Sequence, residues 1–482
     1  MWNEWLVKNA EFALKCIFSV LEVTIAVPLA VYKFILPPPA PLSRTKEKRP
    51  TVVIVGGNFA GLAALWQLKP YADRFRIIVI EQKDYFEYIP GILRLFCQPK
   101  SLKDLAQPLP RGPQYEIIQG RVINVQDSQR RKTLAYHPVH NGAPSTAVQT
   151  VAYDYLILAT GATYNHPITP SIRDELSLTQ RQKSWNVQHN QIKQAQSILI
   201  LGAGAVGVEL AAELIDLFPQ KSITLVDANP TMAPLFPSTA GKYAQKWLQD
   251  RGVTVRLGEM LQSWDDTSCT LQTNGQVLKA DRVFVCFGSK ANSQAMDGTS
   301  DPQLLTAGQS GTSSSSTSAL GTVRNFVLNR RKDVVVKKTL QVEGGCDIAQ
   351  EGCVFVVGDV SDPPSEGIKQ AFQAEVQGYV AGKNVVNKEL GKPLLRYPQD
   401  VAHSDRMPLV YVLSLGRFDG VLGFNELTIP GPFAAIVKFI IEYTKVMHMS
   451  GKPLGSIIWK LGDNIVMFLS RTLIKPAATK KD

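Results

Sequence analysis

Apolar residues in this chain recur as short strands, each running into a small-residue turn and then a helical repeat. Val52 to Val55 is the first such strand, and it leads through a glycine turn into the helical pattern of FAGLAALWQL. RIIVIE follows and ends at Glu81. The same order restarts at Ser197: SILIL, a second glycine turn, the helical stretch VGVELAAEL, then SITLVD ending at Asp227. Strand, crossover helix and strand make a β-α-β unit with parallel strands. The two turns open at Gly56 and Gly202, 202 − 56 = 146 residues apart, so the pattern predicts two such units. YLILATG and VFVCFG are further strands that exit through small residues, at Gly161 and Gly288. CVFVVGDV is another, ending at Gly358 and Asp359, with a helical pattern from about Ile368 to Val386. Between Asp297 and Thr322 the pattern gives way to a Ser-rich, low-complexity loop, to which no chemistry is assigned.

Both ends depart from this scheme. Cys16 to Leu36 holds one acid, Glu22, and one base, Lys33, in 21 residues, about enough to cross a hydrocarbon core of ~30 Å. Pro37, Pro38 and Pro39 end it, and Arg44, Lys46, Lys48 and Arg49 follow, which keeps the main body on the inner side by the positive-inside rule. The segment reads as a transmembrane anchor; a helix lying flat on the surface and a targeting segment are the alternatives. Phe433 to Met449 and Ile457 to Leu473 mix apolar residues with spaced lysines. They predict amphipathic helices that lie either in a membrane interface or on the protein's own core.

Composition narrows the class. A length of 482 residues suggests about two to four domains. With 45% hydrophobic and 19% charged residues, the chain is neither disordered nor fibrous. Its six cysteines contain no C-x-x-C pair, which excludes a disulfide scaffold and argues against a zinc ribbon. The six histidines show no repeating ligand spacing, so no metal site is expected. Of the net charge of +11, residues 1–49 carry +3 and residues 430–482 carry +5. Basic residues beside apolar stretches suit an anionic membrane surface better than nucleic acid.

The turns carry the chemistry. Gly202, Gly204 and Gly207 form G-x-G-x-x-G between a strand and a helix. The first glycine permits the tight turn, the second lets a pyrophosphate reach the backbone, and the third lets the helix pack close. Asp227 ends the next strand, where a carboxylate accepts from an adenosine ribose and repels a 2′-phosphate, favouring NADH over NADPH. In the first unit Gly56, Gly57, Asn58 and Gly61 give G-G-N-x-x-G. Asn58 stands where the second glycine belongs, which crowds a pyrophosphate, although asparagine tolerates left-handed backbone. Glu81 is the ribose acceptor at the same spacing. A packing turn in the second unit and a vestigial fold in the first are the alternatives. Asp359, at a strand end, suits a ribityl hydroxyl or simple helix capping.

In this order the motifs resemble the two-dinucleotide flavoprotein superfamily. They resemble in particular the apoptosis-inducing-factor-like branch with its ferroptosis-suppressor-type quinone reductases; type II NADH dehydrogenases are more distant. GGNFAG, YLILATGAT, LGAGAVGVELAAEL, LQVEG, VFVVGDV and LSLGRFDGV carry the resemblance, from about Thr51 to Gly420. It implies an α/β fold with two Rossmann-like domains, the nicotinamide domain being inserted in a discontinuous FAD domain. The expected divisions are 1–49 (anchor and linker), 50–185 and 336–395 (FAD), 186–335 (NAD(P)H, with the Ser-rich loop 297–322) and 396–482 (C-terminal helices). By position it places Gly56, Gly57, Gly61 and Glu81 on the ADP half of FAD. Arg94 falls near the flavin, Val122 at the adenine, Thr160 and Gly161 in the turn beside FAD, and Asp359 on the ribityl chain. Lys369 falls on the quinone side of the ring system, and Glu209 at the nicotinamide amide. Arg94 as a surface ion pair, Lys369 as a solvated helix residue and Glu209 facing its own helix start are the plainer readings.

Disulfide reductases of this superfamily carry C-x₄-C, whereas Cys97 has no partner within ten residues. The resemblance thus implies electrons leaving FAD directly for a diffusible acceptor. The expected function is a membrane-associated, non-pumping NADH:quinone oxidoreductase, with NADPH as a possible donor and lipid as a partner. A mitochondrial inner membrane is the expected site, with another organelle or a bacterial membrane open. The rival reading is an inactive accessory subunit of a respiratory complex, motivated by Asn58 and by the charges in the N-terminal segment.

Overall fold

The structure is a computed structural model that describes residues 2–35, 49–101, 105–128, 131–297, 326–344, 351–365 and 367–472. The Ser-rich loop therefore lies, Asp297 apart, outside the described residues. Along the chain come α1 (Trp2–Ile35), β1 (Thr51–Val55), α2 (Phe59–Leu68), β2 (Arg76–Glu81) and α3 (Leu93–Cys97). Next are β3 (Glu116–Ser128), β4 (Arg131–His140), β5 (Tyr155–Leu158) and α4 (Leu178–Gln194). A second group follows: β6 (Ser197–Leu201), α5 (Ala205–Leu217), β7 (Ser222–Asp227), α6 (Ser238–Gln249), β8 (Thr254–Leu257) and β9 (Arg282–Val285). The chain continues with β10 (Val354–Val356), α7 (Ala371–Glu389), β11 (Val410–Leu415), β12 (Asp419–Phe424), β13 (Leu427–Pro430), α8 (Pro432–Met449) and α9 (Pro453–Thr472).

The first sheet runs β10-β5-β1-β2-β3 with every neighbour parallel, and antiparallel β4 extends it. Val53 pairs with Ile78 on one side and Leu156 on the other. Val52, Val53 and Ile54 are wholly buried, as in a parallel sheet covered on both faces. α2 and α7 cross so closely that a Cβ on Gly378 would lie 2.1 Å from the Ala60 carbonyl oxygen. The second sheet, β8-β7-β6-β9, is also parallel. Its strands fall in the chain between β5 and β10, which are neighbours in the first sheet. After α7 the chain forms the antiparallel sheet β11-β12-β13. The amphipathic helices α8 and α9 follow, close to their expected limits; Leu473 lies outside the described residues.

The expected membrane span is not borne out among the described residues. Apart from Leu36, which is outside the described residues, it falls within α1, and among the described residues no helix is long and apolar enough to cross a membrane. α1 packs on the C-terminal helices instead. Phe18 is buried with Met447 and Leu454 and stacks on Tyr443 at 5.5 Å, and Glu22 pairs with Lys452 at 2.9 Å. Lys8 and Lys15 sit over the rings of Phe418 and Phe439. Glu22, the acid of the segment, thus meets a partner on the same chain. Its other side leaves Trp2, Trp5, Phe12, Ile17 and Val20 exposed.

Candidate active site

The two glycine turns have the same geometry. Gly56 and Gly202 adopt φ of +109° and +107°, a region open to glycine. A Cβ on Gly61 would lie 1.8 Å from the Gly56 carbonyl oxygen, and one on Gly207 1.8 Å from that of Gly202. Each third glycine therefore lets its helix start directly against its strand. The acid ending each second strand closes the turn: Glu81 Oε2 accepts from Gly57 N at 2.6 Å, and Asp227 Oδ2 accepts from Ala203 N. Gly204 caps α5 with extended backbone, and nothing lies within 4 Å of a Cβ placed there.

Asn58 corrects an expectation. Its φ of −113° is extended, so its tolerance for left-handed backbone is not used. It is the N-cap of α2: Oδ1 accepts from Phe59 N at 3.0 Å, and Nδ2 donates to the Glu87 carbonyl at 3.3 Å. The helix start needs an extended residue with a side-chain acceptor, and asparagine supplies both.

One cleft of about 2420 Å³ joins most of the expected residues. It exceeds a single-ligand pocket of about 300–1,000 Å³. Gly56, Asn58, Glu81 and Val122 line one end. Thr160, Gly161 and Gly288 line the junction of the two sheets, where Thr160 Oγ1 donates to the Asn292 carbonyl at 2.7 Å. Gly161 and Gly288 both have positive φ, with nothing within 4 Å of an added Cβ, so bare backbone faces the opening. Gly358, Asp359, Lys369 and Glu209 complete this set. Gly57, Gly61, Gly202, Gly204, Gly207 and Asp227 are not part of the lining; the second turn reaches it through Ala205 and Val206.

Lys369 precedes α7, which begins at Ala371 rather than Ile368 because Gln370 is its extended N-cap. Its Nζ donates to Asp333 Oδ1 at 2.6 Å and to the Asp359 carbonyl at 2.7 Å. Burial raises the Asp359 carboxyl, with the Lys369 charge opposing. Glu209 reaches past its own helix: Oε1 accepts from Ser414 N, in β11, at 2.8 Å. Burial pushes its carboxyl up to about 7, against the opposing pull of Lys438. Arg94 is held elsewhere than the cleft lining, its guanidinium by Glu442 of α8 in a mostly buried ion pair. Cys97 is buried in α3, and burial pushes its thiol well above the usual range.

The sequence reading missed the inward face of α8. Lys438, Glu442 and Lys445 fall at i, i+4 and i+7, on one side of the helix. They pair with Glu213 of α5, Arg94 of α3 and Glu375 of α7. The seven-residue spacing of Lys438 and Lys445 was legible; partners on three distant segments were not. Arg181 was also missed. It is fully buried between Glu87 and Glu175. Burial alone would raise Glu175, but His166, Arg181 and Ser184 hold it at about 2.

Comparison with known proteins accords with this geometry. Residues 50–311 match the pyridine nucleotide-disulphide oxidoreductase family. Ferroptosis suppressor protein 1 of Xenopus tropicalis is 28% identical over 396 residues, covering 81% of this chain and 93% of the relative. Apoptosis-inducing factor homolog B of Dictyostelium discoideum is 27% identical over 446 residues, covering 85% and 99%. Among solved structures, the sulfide:quinone oxidoreductase of Aquifex aeolicus superposes with a TM-score of 0.62 at 15% identity, covering 90% of this chain and 98% of that one. NDH2 of Plasmodium falciparum in complex with NADH gives 0.58 at 13% identity, covering 84% and 100%. The chain belongs to the pyridine nucleotide-disulphide oxidoreductase family, as an oxidoreductase that uses FAD and a nicotinamide nucleotide. The twin turns, each closed by a carboxylate, fit two dinucleotides.

Proposed function

We propose that this protein passes reducing equivalents from NADH to a quinone at a membrane surface. The observation that carries the reading is the single cleft running from the first glycine turn, past Glu209, to a wall built by α8 and α9. We assign residues 50–185 and 336–395 to FAD, 186–335 to the nicotinamide nucleotide and 396–482 to the acceptor and membrane side. Gly56, Gly57, Gly61 and Glu81 hold the ADP half of FAD, with Asn58 capping the helix beneath it. Val122 borders the adenine, Thr160 and Gly161 border the ring system, and Gly358 and Asp359 meet the ribityl chain. Gly202, Gly204, Gly207 and Asp227 bind the second dinucleotide, with Gly288 at the junction. Asp227 already accepts from Ala203 N and Asn229 N, and its negative charge disfavours a 2′-phosphate, so NADH is the preferred donor.

FAD, when bound, supplies the chemistry by accepting a hydride and releasing electrons to the acceptor. The chain's residues orient and exclude. Glu209 holds or yields a proton at its carboxyl near neutral pH. Lys369, tied to Asp333, places positive charge where negative charge develops. Arg94 has a positioning role, pinning α8 through Glu442.

Membrane attachment in this reading is interfacial. α9 exposes Ile457, Leu461, Ile465 and Phe468 in one stripe, and α8 exposes Phe433. With the exposed rings of α1 and the net +5 of residues 430–482, this face suits an anionic bilayer surface. A mitochondrial inner membrane is the location we favour. Asn58 in extended backbone leaves the turn intact, which favours the enzyme reading over the accessory-subunit one. The test is steady-state NADH oxidation by purified protein with a short-chain quinone, alongside co-sedimentation with anionic vesicles. Turnover that needs the quinone and FAD supports the reading; no quinone-dependent turnover refutes it.

A further inference from the structure

A buried ion pair on the cleft wall has no part in the reading above. The side chains of Lys445 and Glu375 are 1% and 10% exposed, yet both residues line the cleft. Lys445 Nζ donates to Glu375 Oε1. It stands 4.0 Å from the ring centroid of Trp459 on α9 and 5.8 Å from that of Phe59, the residue after Asn58. The pair thus bridges the first glycine turn and the C-terminal helices. Taking two charges out of water is costly, and a hydrophobic pair of similar volume would serve packing as well or better. Ionisable groups held in a cleft are functional candidates on that ground.

The wall around the pair is apolar, formed by Phe372, Ile441, Trp459 and Val466. α9 presents Trp459, Gly462 and Val466 to the cleft and Ile457, Leu461, Ile465 and Phe468 to the outside. One helix therefore separates the acceptor end of the cleft from the exposed apolar face. An amphiphilic molecule whose polar end enters the cleft would meet apolar side chains of α9 and the buried Lys445 ammonium.

We propose that Lys445 donates a proton to the carbonyl oxygen of the acceptor, and that Glu375 orients the ammonium and relays a proton back to it. The acceptor class is an amphiphilic carbonyl compound whose apolar tail lies along α9. This role rests on the quinone reading. In the overall reaction NADH + H⁺ + quinone gives NAD⁺ + quinol. Two electrons and one proton leave the nicotinamide as hydride. The remaining proton comes from Lys445: an N–H bond breaks, an O–H bond forms on the acceptor oxygen, and the amine recovers a proton from solvent through Glu375. Ferricyanide takes electrons without protons, so its reduction bypasses this step.

The test compares FAD-loaded full-length protein with Lys445→Met and with the double variant Lys445→Met/Glu375→Gln. The double variant removes both charges of this pair together, so it keeps the test alive where the single variant misfolds. NADH-driven reduction of a short-tailed benzoquinone and of ferricyanide is measured beside FAD content. The expected result is a fall in quinone kcat of about a hundredfold or more, in the range for a lost general acid, with ferricyanide turnover within about twofold of the parent. Unchanged quinone turnover in either variant overturns the proposal. So does equal loss of both activities in the double variant with FAD retained, which would make the pair a structural latch. Parent protein that reduces ferricyanide but no quinone would refute the quinone reading itself, and this role with it.

Discussion

Glu209 offers a test in which direction and size both follow from its surroundings. Burial pushes its carboxyl from 4.5 to about 7, with Glu213 adding to the rise and Lys438 and Ser414 N opposing it. The native protein therefore holds this proton more tightly than the unfolded chain does. The stabilisation from neutral Glu209 is complete below the unfolded value near 4.5, is lost as pH rises towards about 7, and stays lost above. At about 1.4 kcal/mol per pH unit the loss is bounded near about 3 kcal/mol. Glu209 borders an open cleft, and solvent screening trims the figure to about 1–3 kcal/mol. Glu209→Gln keeps an acceptor for Ser414 N and removes the ionisation. Melting temperatures of parent and variant should coincide at about pH 4. By about pH 8 the variant should be higher by a few degrees, at about 2–4 °C per kcal/mol for a domain of this size. Calorimetric scans across that interval check it. A difference that does not change with pH, or a variant that is less stable at the alkaline end, refutes the assignment of a proton to Glu209 near neutrality.

Other outcomes follow from the same geometry. Gly61→Ala should yield protein without flavin, because its methyl would lie 1.8 Å from the Gly56 carbonyl; the visible flavin band measures this. Gly207→Ala should retain flavin while KM for NADH rises about tenfold or more, a loss of about 1.4 kcal/mol; an unchanged KM contradicts the role of the second turn. Arg181→Met strands Glu87 and Glu175 in the interior and should cost about 3–5 kcal/mol, read as a lowered unfolding midpoint. Leu461→Glu with Phe468→Glu should release the protein from anionic vesicles in a sedimentation assay, since both side chains are more than half exposed on one stripe of α9.

The strands and turns were legible because their signals are local. β2 and β7 end at Glu81 and Asp227, as the apolar runs do, and each glycine pattern records a backbone approach within a few residues. The ion pairs of α8 were not legible, because 348 residues separate Arg94 from Glu442 and 70 separate Glu375 from Lys445. No spacing rule connects such positions. The partner of Arg94 was hidden for the same reason, since Glu442 lies on a helix beyond the resembling region. The packing of the N-terminal segment was not legible either. Hydropathy reports that Cys16 to Leu36 is apolar, but not that Phe18 and Glu22 meet Met447 and Lys452 of the same chain. Asn58 looked like damage to a phosphate turn, and its role as the cap of α2 rests on side-chain hydrogen bonds to Phe59 N and the Glu87 carbonyl that residue type alone does not report.

The central claim is an electron path from NADH through FAD to a quinone. Its most direct test is the visible spectrum of the purified protein, recorded anaerobically before NADH, after NADH, and after a soluble quinone is added. The account predicts a flavin band that bleaches with NADH and returns with the quinone. A band that NADH leaves unchanged would contradict the role of the second glycine turn, and a bleached band that quinone does not restore would contradict the acceptor.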